Sequence, residues 1–188
     1  MFDKTGTLTK GKLEITDIHI VEKYKDSYTK EQMLEITTTM EKNSEHPLGD
    51  AIYKHGIAQK VKVKDIKDFK GIEGKGITGI IEGQRYYMGN KKLMTQQMTE
   101  ISHVQHIFKE LSCQAKTVMF IAKGKELIGL IAVRDEVKDN AANVLRILED
   151  EMGIETVMLT GDNTDTANAI AKELGLSKVI AEVLPEDK

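Results

Sequence analysis

Asp3-Lys4-Thr5-Gly6-Thr7-Leu8-Thr9, near the start of the 188-residue sequence, is its most informative segment. An aspartate carboxylate can attack phosphorus and form an acyl phosphate, which splits one difficult hydrolysis into two easier steps. The hydroxyls and backbone N–H groups of residues 5–7 can bind phosphoryl oxygens. Such a site also needs cations, normally Mg²⁺ and a lysine. The alternative is a polar turn without chemistry, but the order of these residues favours Asp3 as a phosphoryl acceptor.

A second polar loop, Thr160-Gly161-Asp162-Asn163, follows a short apolar stretch over residues 156–159. Apolar positions at helical spacing flank this stretch on both sides and predict one helix that starts near Val137 and another that ends at Gly175. A strand is predicted over residues 179–183. The order helix, strand, helix, strand with short loops predicts a parallel α/β unit. A loop that leads into a helix N-terminus is suited to bind phosphate, although an ordinary cap and turn is the alternative.

The middle of the chain has a different pattern. Thr29 and Gln32 form a capping-box pattern that predicts a helix, and Ser44 and Pro47 predict the start of a second helix. A further helix is predicted over residues 101–111. Period-two alternation predicts strands over residues 61–69, 77–81, 85–88, 117–122 and 126–133. The sequence therefore predicts an antiparallel sheet with helices, inserted between the N-terminal residues and the α/β tail.

The composition excludes several classes of function. The formal net charge is −3 and no basic block occurs, which argues against nucleic acid as a partner. Cys113 is the only cysteine, so no internal disulfide can form and a reducing compartment is the simplest interpretation. The longest apolar run, residues 127–133, is far shorter than the roughly 20 residues that span a bilayer. The sequence predicts a soluble globular protein, and both of its ends resemble the boundaries of a piece of a longer chain.

The motif at Asp3 resembles the signature of P-type ATPases, within the haloacid-dehalogenase-like superfamily. The resemblance implies that ATP phosphorylates Asp3, that the adjacent Lys4 belongs to the catalytic motif, and that Thr5 contacts phosphate and helps Asp3 hold Mg²⁺. The loop starting at Thr160 is similar to the second phosphate loop of this family, with Gly161 between Thr160 and an Asp162 near the nucleotide. It also implies a Rossmann-like, haloacid-dehalogenase-type phosphorylation domain and an inserted α+β nucleotide-binding domain.

Other residues resemble the nucleotide pocket of the heavy-metal pumps in particular. The His-Pro pair at His46 implies an adenine contact, and Glu41 lies five residues earlier. The glycine-rich stretch over residues 71–79 fails as a dinucleotide motif because no βαβ unit surrounds it. The resemblance instead assigns to the pocket Gly74, Gly76, Gly89 and Asn90. The alternatives are a helix-start histidine and turns in a twisted sheet.

The resemblance also implies domain boundaries and a further lysine. The phosphorylation domain is expected over residues 1–12 plus 133–188 and the nucleotide-binding domain over residues 13–132. Asp135 is interpreted as a hinge residue, with a surface acid before a helix as the alternative. Lys188 is similar to the lysine that pairs with the nucleophile and phosphate. The segment that completes the Mg²⁺ site in the family comes after Lys188, so phosphorylation of this chain by itself is left open.

The sequence thus predicts the ATP-binding and aspartyl-phosphorylation part of a heavy-metal-exporting P-type ATPase, with ATP and Mg²⁺ as cofactors. Its expected location is the cytosolic side of a membrane protein, with the membrane and actuator domains of the parent as partners. Copper is favoured weakly over zinc or cadmium. A soluble phosphatase of the same superfamily would share Asp3, Thr160 and Lys188 but needs no adenine pocket. A non-catalytic nucleotide-binding module would bind ATP and form no acyl phosphate.

Overall fold

The computed structural model describes residues 1–183. These residues divide into two compact units, and the chain passes between them several times. The first unit combines the N-terminus and the tail with one short middle segment (residues 1–13, 107–117 and 134–183), and the second holds residues 14–106 and 118–133. The assignment of a phosphorylation and a nucleotide-binding role to such units stays a prediction.

A parallel sheet forms the centre of the first unit. Its strands are β1 (Phe2–Asp3), β8 (Val157–Leu159) and β9 (Lys178–Ile180), and β8 lies in the middle. The register aligns Asp3 with Leu159 and Leu159 with Ile180. The carboxyl ends of these strands therefore lie side by side at one edge of the sheet, the place where open α/β sheets bind ligands.

Helices cover the sheet of the first unit. They are α5 (Ala141–Arg146), continued by a wider helical turn over Ile147–Glu151, and α6 (Thr164–Leu174). The Asn163 side chain caps α6 by accepting a hydrogen bond from Thr166 N, and Gly175 ends the helix in a left-handed conformation. Small and branched side chains from both helices bury Met158 of β8 completely, and this apolar packing holds the sheet edge in place.

The second unit is built on a mainly antiparallel sheet. The six-stranded order is β2-β7-β6-β5-β4-β3, and the pairs from β3 to β6 are antiparallel. The strands are β2 (Thr9–Ile20), β3 (Ile66–Ile72), β4 (Gly76–Ile81), β5 (Gln84–Gly89), β6 (Thr117–Lys123) and β7 (Glu126–Val137). The long strands β2 and β7 and the first residue of β6 run past the unit's boundaries in the chain.

Two helices of the second unit pack closely on each other. Helix α1 (Lys30–Glu41) begins with the predicted capping box of Thr29 and Gln32, and α2 (Pro47–Ala58) begins with Pro47 in its first turn. Gly56 allows the close approach, because a Cβ there would clash with the side chain of Thr38. The shorter helix α3 (Lys91–Gln96) follows in the second unit, whereas most of α4 (Gln105–Cys113) belongs to the first. The core is rich in methionine, including the fully buried Met33, Met40, Met88 and Met94.

The predicted architecture is confirmed, with shifts at several element boundaries. The strand predicted over residues 61–69 runs instead over Ile66–Ile72, because residues 61–65 are irregular. Val137, predicted on a helix face, ends strand β7, and α5 starts only at Ala141. The α/β fold class with a haloacid-dehalogenase-like part and an inserted antiparallel sheet is as predicted.

Among residues 1–183, no helix has both the length and the apolar character that crossing a bilayer requires.

Candidate functional site

Asp3 and Thr160 lie at the same edge of the parallel sheet of the first unit. Asp3 is the last residue of β1 and is paired in register with Leu159, so Thr160 directly follows its partner. The Asp3 side chain is exposed, whereas Thr160 is buried and its N–H donates to Ile180 O at 3.0 Å. The strand order thus brings together two residues that lie about 160 positions apart in the sequence.

Lys4 and Asp162 form an ion pair behind this edge. Their Nζ and Oδ2 atoms are 2.5 Å apart, and their side chains are only 8% and 7% exposed. Asp162 is held further by the hydroxyls of Thr160, which donates to Oδ2 at 2.9 Å, and Thr117, which donates to Oδ1 at 2.7 Å. Both carboxylate oxygens therefore have protein partners, and the second loop is tied to the first.

The charges of this pair are set by opposing effects. Burial by itself would raise the pKa of the Asp162 carboxyl, because it disfavours the charged form. The positive charge of Lys4 outweighs this effect, together with the hydrogen bonds from Lys4, Thr117 and Thr160, and the pKa lies below its ordinary value. Asp162 is therefore ionised at neutral pH and neutralises the Lys4 ammonium.

The turn that follows Asp3 is held by hydrogen bonds that involve Thr9, Asp135 and Lys138. The Thr9 hydroxyl donates to Asp135 Oδ2 at 2.6 Å, and Thr9 Oγ1 accepts from Gly6 N at 3.2 Å. Lys138 Nζ donates to Gly6 O at 2.9 Å on the same turn. Gly6 has φ of +77°, which glycine adopts without strain. Residues 135–138, at the end of β7 and just beyond it, thus hold the turn over residues 5–9 in place.

Asp135 is not the surface acid that the sequence left open as an alternative. It is 7% exposed and lies within strand β7, so that alternative is wrong. Its Oδ1 atom is buried and makes no hydrogen bond among the described residues. The proposed role as a hinge stays a prediction.

The residues around Asp3 fit a divalent cation in part. Asp3 offers an exposed carboxylate, and the Thr5 carbonyl can supply a second hard oxygen, the ligand type that Mg²⁺ prefers. Within residues 1–183, no group of three or more His, Cys, Asp or Glu side chains is placed to hold a metal.

Four residues assigned to the nucleotide pocket form one cluster in the second unit. Gly76 and Gly89 are directly opposite in the β4–β5 pair, and the Asn90 Nδ2 atom donates to Gly74 O at 2.8 Å. Gly76 has φ of +141°, and a Cβ on it would lie 2.6 Å from Gly89 Cα. Asn90 also caps α3, accepting from Leu93 N at 3.1 Å. The two backbones can approach this closely only because both positions lack a side chain.

Glu41 and His46 lie at the connection between α1 and α2. Glu41 ends α1 with 5% exposure, and a Cβ on Gly49 would clash with its Oε2 atom. Burial raises the pKa of Glu41 to about 7, against the opposing effect of a hydrogen bond from Ser44. Partial burial also lowers the pKa of His46, so the imidazole is neutral at pH 7. That Glu41, His46 and the glycine cluster line one pocket stays a prediction.

His46 also makes a structural contact at the start of α2. Its Nδ1 atom accepts a hydrogen bond from Leu48 N at 3.2 Å and so caps α2. The alternative interpretation from sequence, a histidine at a helix start, therefore describes the residue correctly. Capping occupies Nδ1 and leaves the part of the ring that still faces solvent for a ligand.

The sequence did not identify every residue that contacts the candidate site. Thr117 and Lys138 were not predicted, because their partners Asp162 and Gly6 are far away in the sequence. The only available signal for Thr117 was its position at the start of a predicted strand, and no local signal marked Lys138. Lys188 lies outside the described residues.

A model of the haloacid dehalogenase-like hydrolase family matches residues 1–188. The chain belongs to this family. The placement of Asp3 and the loop at Thr160 on neighbouring parallel strands is consistent with the match. The haloacid dehalogenase-like chain is also homologous, over its full length, to heavy-metal P-type ATPases, as the resemblance of its motifs predicted.

Two relatives show the extent of this similarity. The chain is 41% identical over 192 residues to a probable cadmium-transporting ATPase of Alkalihalophilus pseudofirmus, covering 100% of this chain and 26% of the relative. It is 43% identical over 188 residues to a copper-exporting P-type ATPase of Staphylococcus haemolyticus, covering 100% of this chain and 22% of the relative. The haloacid dehalogenase-like chain thus spans about a quarter of the length of these pumps.

Solved structures give the same result. A zinc-transporting PIB-type ATPase in its E2.Pi state superimposes with a TM-score of 0.68 at 30% identity, covering 99% of this chain and 29% of that one. The catalytic domain of the CPx-ATPase CopB-B, in a structure concerned with nucleotide binding, superimposes with a TM-score of 0.71 at 25% identity and covers 99% and 61%.

Proposed function

We propose that this chain is the ATP-binding and phosphoryl-accepting part of a heavy-metal P-type ATPase. The second unit binds ATP, and Asp3 of the first unit accepts its γ-phosphoryl group. The observation that carries the proposal is the register of β1 and β8, which places Asp3 beside the loop that begins at Thr160. Homology to pumps named for cadmium and copper supports the heavy-metal class.

The proposed reaction is an in-line phosphoryl transfer. A carboxylate oxygen of Asp3 attacks the γ-phosphorus of ATP, the bond from that phosphorus to the β,γ-bridging oxygen breaks, and ADP leaves. The Thr160 hydroxyl, which would exchange Asp162 Oδ2 for a phosphoryl oxygen, and the N–H groups of Thr5 and Thr7 would stabilise the phosphoryl oxygens as charge develops on them. Asp3 and the Thr5 carbonyl would hold Mg²⁺, which would supply positive charge against the phosphate. Water later hydrolyses the acyl phosphate.

Lys4 and Lys188 have different proposed roles. Lys4 is paired with Asp162, so its charge holds the loop of Thr160 to the turn that follows Asp3. Lys188 is the lysine that we assign to the phosphoryl group, in keeping with its resemblance to the family. Both remain in the proposed catalytic set with Asp3, Thr5, Thr160, Gly161 and Asp162.

The adenine ring is assigned to the second unit. A neutral imidazole of His46 can stack on or hydrogen-bond a purine, and the glycine cluster of residues 74, 76 and 89 lets the backbone approach the nucleotide. Glu41 and Asn90 complete the assigned set. In a full-length pump, phosphorylation of Asp3 would drive metal export across the membrane from a cytosolic position of this region.

Isothermal titration calorimetry with ATP tests the nucleotide assignment. We expect ATP to bind to the 188-residue chain, His46→Gln to weaken binding at least roughly tenfold, and Asp3→Asn to leave binding in place. Circular dichroism of the His46→Gln variant checks that α2 is still formed, since His46 also caps it. Binding unchanged by the His46 substitution would remove the adenine assignment.

Labelling with γ-³²P-ATP and Mg²⁺ tests the acceptor. Acid-quenched chain should carry a label that hydroxylamine releases, as an acyl phosphate does, and Asp3→Asn should carry none. A label that persists in the Asp3→Asn variant contradicts the assignment of Asp3. Rapid hydrolysis of simple phosphate esters without affinity for ATP would instead favour a phosphatase.

A further inference from the structure

Thr117 lies against the candidate phosphorylation site, although no motif includes it. Its hydroxyl donates to Asp162 Oδ1 at 2.7 Å, on the oxygen opposite to the one that pairs with Lys4. Hydrogen bonds to a carboxylate are short and strong when the acceptor is charged. Thr117 is also the last residue of the middle segment of the first unit, and the chain enters the second unit at Val118.

A second contact fixes the same short segment. The Thr166 hydroxyl, in the first turn of α6, donates to the carbonyl of Lys116 at 2.9 Å. Thr166 is fully buried, and Asn163 Nδ2 donates to its Oγ1 at 3.0 Å. Residues 116–117 are therefore attached at two points to the loop and helix that follow Thr160. The Thr117 hydroxyl cannot turn away without leaving Asp162 Oδ1 short of its donor.

We propose that Thr117 is a positioning residue for the phosphoryl-transfer site, which holds the Asp162 carboxylate in the orientation that pairs with Lys4. Lys4 is next to Asp3 in the chain, so the position of the ion pair sets the course of the turn that follows the acceptor. The effect on phosphoryl transfer rests on the proposed function. The effect on Asp162 does not, because it follows from the hydrogen bond alone.

The chemistry of the site favours a hydroxyl at this position. An Asp162 carboxylate with Lys4 on one oxygen can rotate about its Cβ–Cγ bond unless the other oxygen is also held. Thr160 and Lys4 both contact Oδ2, whereas the Thr117 hydroxyl donates to Oδ1 and so holds the second oxygen. A charged donor in place of Thr117 would compete with Lys4, whereas a neutral hydroxyl leaves the ion pair intact.

Carboxyl ¹³C NMR titration of Asp162, assigned with Asp162→Asn, tests the proposal on the 188-residue chain. Thr117→Val keeps the side-chain shape and removes the donor, so the pKa of Asp162 should rise. Thr117→Ser keeps the hydroxyl and should leave the pKa close to that of the unsubstituted chain. Thr37→Val, which removes a buried hydroxyl bonded to Leu34 O in α1, controls for the general loss of a buried hydrogen bond.

Phosphate labelling gives the second measurement. Thr117→Val should slow labelling of Asp3 roughly tenfold at saturating ATP, with little change in the ATP concentration for half-maximal rate, because Thr117 contacts none of the residues assigned to the adenine pocket. An Asp162 pKa that is unchanged in Thr117→Val, or raised equally in Thr117→Ser, would overturn the proposal. If the chain takes no label, the titration alone decides what Thr117 does.

Discussion

Glu41 and Asp162 are two buried acids whose pKa values move in opposite directions. Burial raises the pKa of Glu41 to about 7, because the Ser44 hydroxyl is too weak a donor to compensate for the loss of water. Burial acts in the same way on Asp162, but Lys4 and two threonine hydroxyls outweigh it. The presence of a cation decides the outcome: Asp162 is a charged structural partner, and Glu41 is close to half-protonated at neutral pH.

This difference predicts a pH-dependent effect of Glu41→Gln. The folded-state pKa of Glu41 is raised, so between about pH 4.5 and 7 the unfolded chain loses the proton first and stability falls as pH rises. Glutamine does not ionise, so the substitution should stabilise the second unit by about 2–3 kcal/mol more at pH 8 than at pH 5. Native-state hydrogen exchange at α1 amides measures this, with the exposed neighbour Glu45→Gln as the control. A gain that is equal at both pH values would contradict the raised pKa.

Removal of Lys4 should be costly at neutral pH. Lys4→Met leaves the Asp162 carboxylate buried without its cation, which typically costs about 3–5 kcal/mol. The pKa of Asp162 is lowered in the folded state, so its favourable contribution is present above the unfolded pKa and is lost as pH falls through the folded one. The cost of Lys4→Met should therefore shrink in acid.

The measurement for Lys4→Met is hydrogen exchange at the amides of α6, compared at pH 7 and in acid. The double variant Lys4→Met with Asp162→Leu serves as the matched control, because it removes both charges and should lose less stability than Lys4→Met alone. Equal losses in the single and double variants would show that the pair contributes only packing.

At the scale of elements, four of the six assigned nucleotide residues lie in the β4–β5 pair or directly beside it: Gly74, Gly76, Gly89 and Asn90. Two strands meet at Gly76 and Gly89, and the turn before β4 is closed by Asn90 donating to Gly74 O. The Asn90 N–H also donates to Lys75 O at 2.9 Å. This set of backbone contacts makes one end of the pair rigid and free of side chains, which is the property that a close approach to a ligand requires.

Gly76→Ala tests whether that close approach is needed. An alanine would have its Cβ in contact with Met88 and Gly89 backbone atoms at a φ of +141°, so we expect a loss of about 2–4 kcal/mol in the stability of the second unit. ATP affinity should fall at least roughly tenfold. Gly71→Ala, on the neighbouring strand β3 with open space around its Cα, is the control and should change both quantities little. Calorimetry measures the ATP affinity of both variants, and urea unfolding measures their stability.

Most elements could be predicted from the sequence because local signals mark their ends. The Thr29 capping box, Pro47 in the first turn of α2 and Gly175 after α6 act within a few residues, and each is confirmed. The errors fall where the local pattern is ambiguous. Residues 61–65 alternate like a strand but have no partner strand, and Val137 fits a helix face but extends β7 beyond the predicted end at residue 133.

Contacts of the candidate site were predictable only in part. The Asp3 and Thr160 motifs were evident, since strand order in an α/β unit brings the carboxyl ends of strands together. The Lys4–Asp162 pair and the hydrogen bonds of Thr117 and Asp135 were not, because each joins residues distant in sequence. Neither periodicity nor composition predicts which polar side chains will contact each other, because these contacts depend on how the complete fold packs.

At the scale of the whole molecule, the two units have separate cores. The first unit packs α5 and α6 on its parallel sheet around Met158, and the second packs helices on its antiparallel sheet around Met33 and Phe120. A ligand that binds one unit stabilises that unit by RT ln(1 + [L]/Kd), whatever happens in the other. The proposed function assigns adenine to the second unit, so the two cores should respond to ATP differently.

Hydrogen exchange with and without ATP makes this a quantitative prediction. At an ATP concentration of about 100 times Kd, stabilisation is about 2.7 kcal/mol, which slows exchange by about a hundredfold at amides that open only with their whole unit. We expect this protection at core amides of the second unit, such as Phe120 and Ile131, and much less at Met158 and Ile170 of the first. His46→Gln, which should weaken binding at least roughly tenfold, should reduce this stabilisation to about 1.4 kcal/mol or less at the same ATP concentration, whereas Asp3→Asn should preserve it. Protection confined to the first unit would place the nucleotide on the sheet edge at Asp3 and remove the second unit from nucleotide binding.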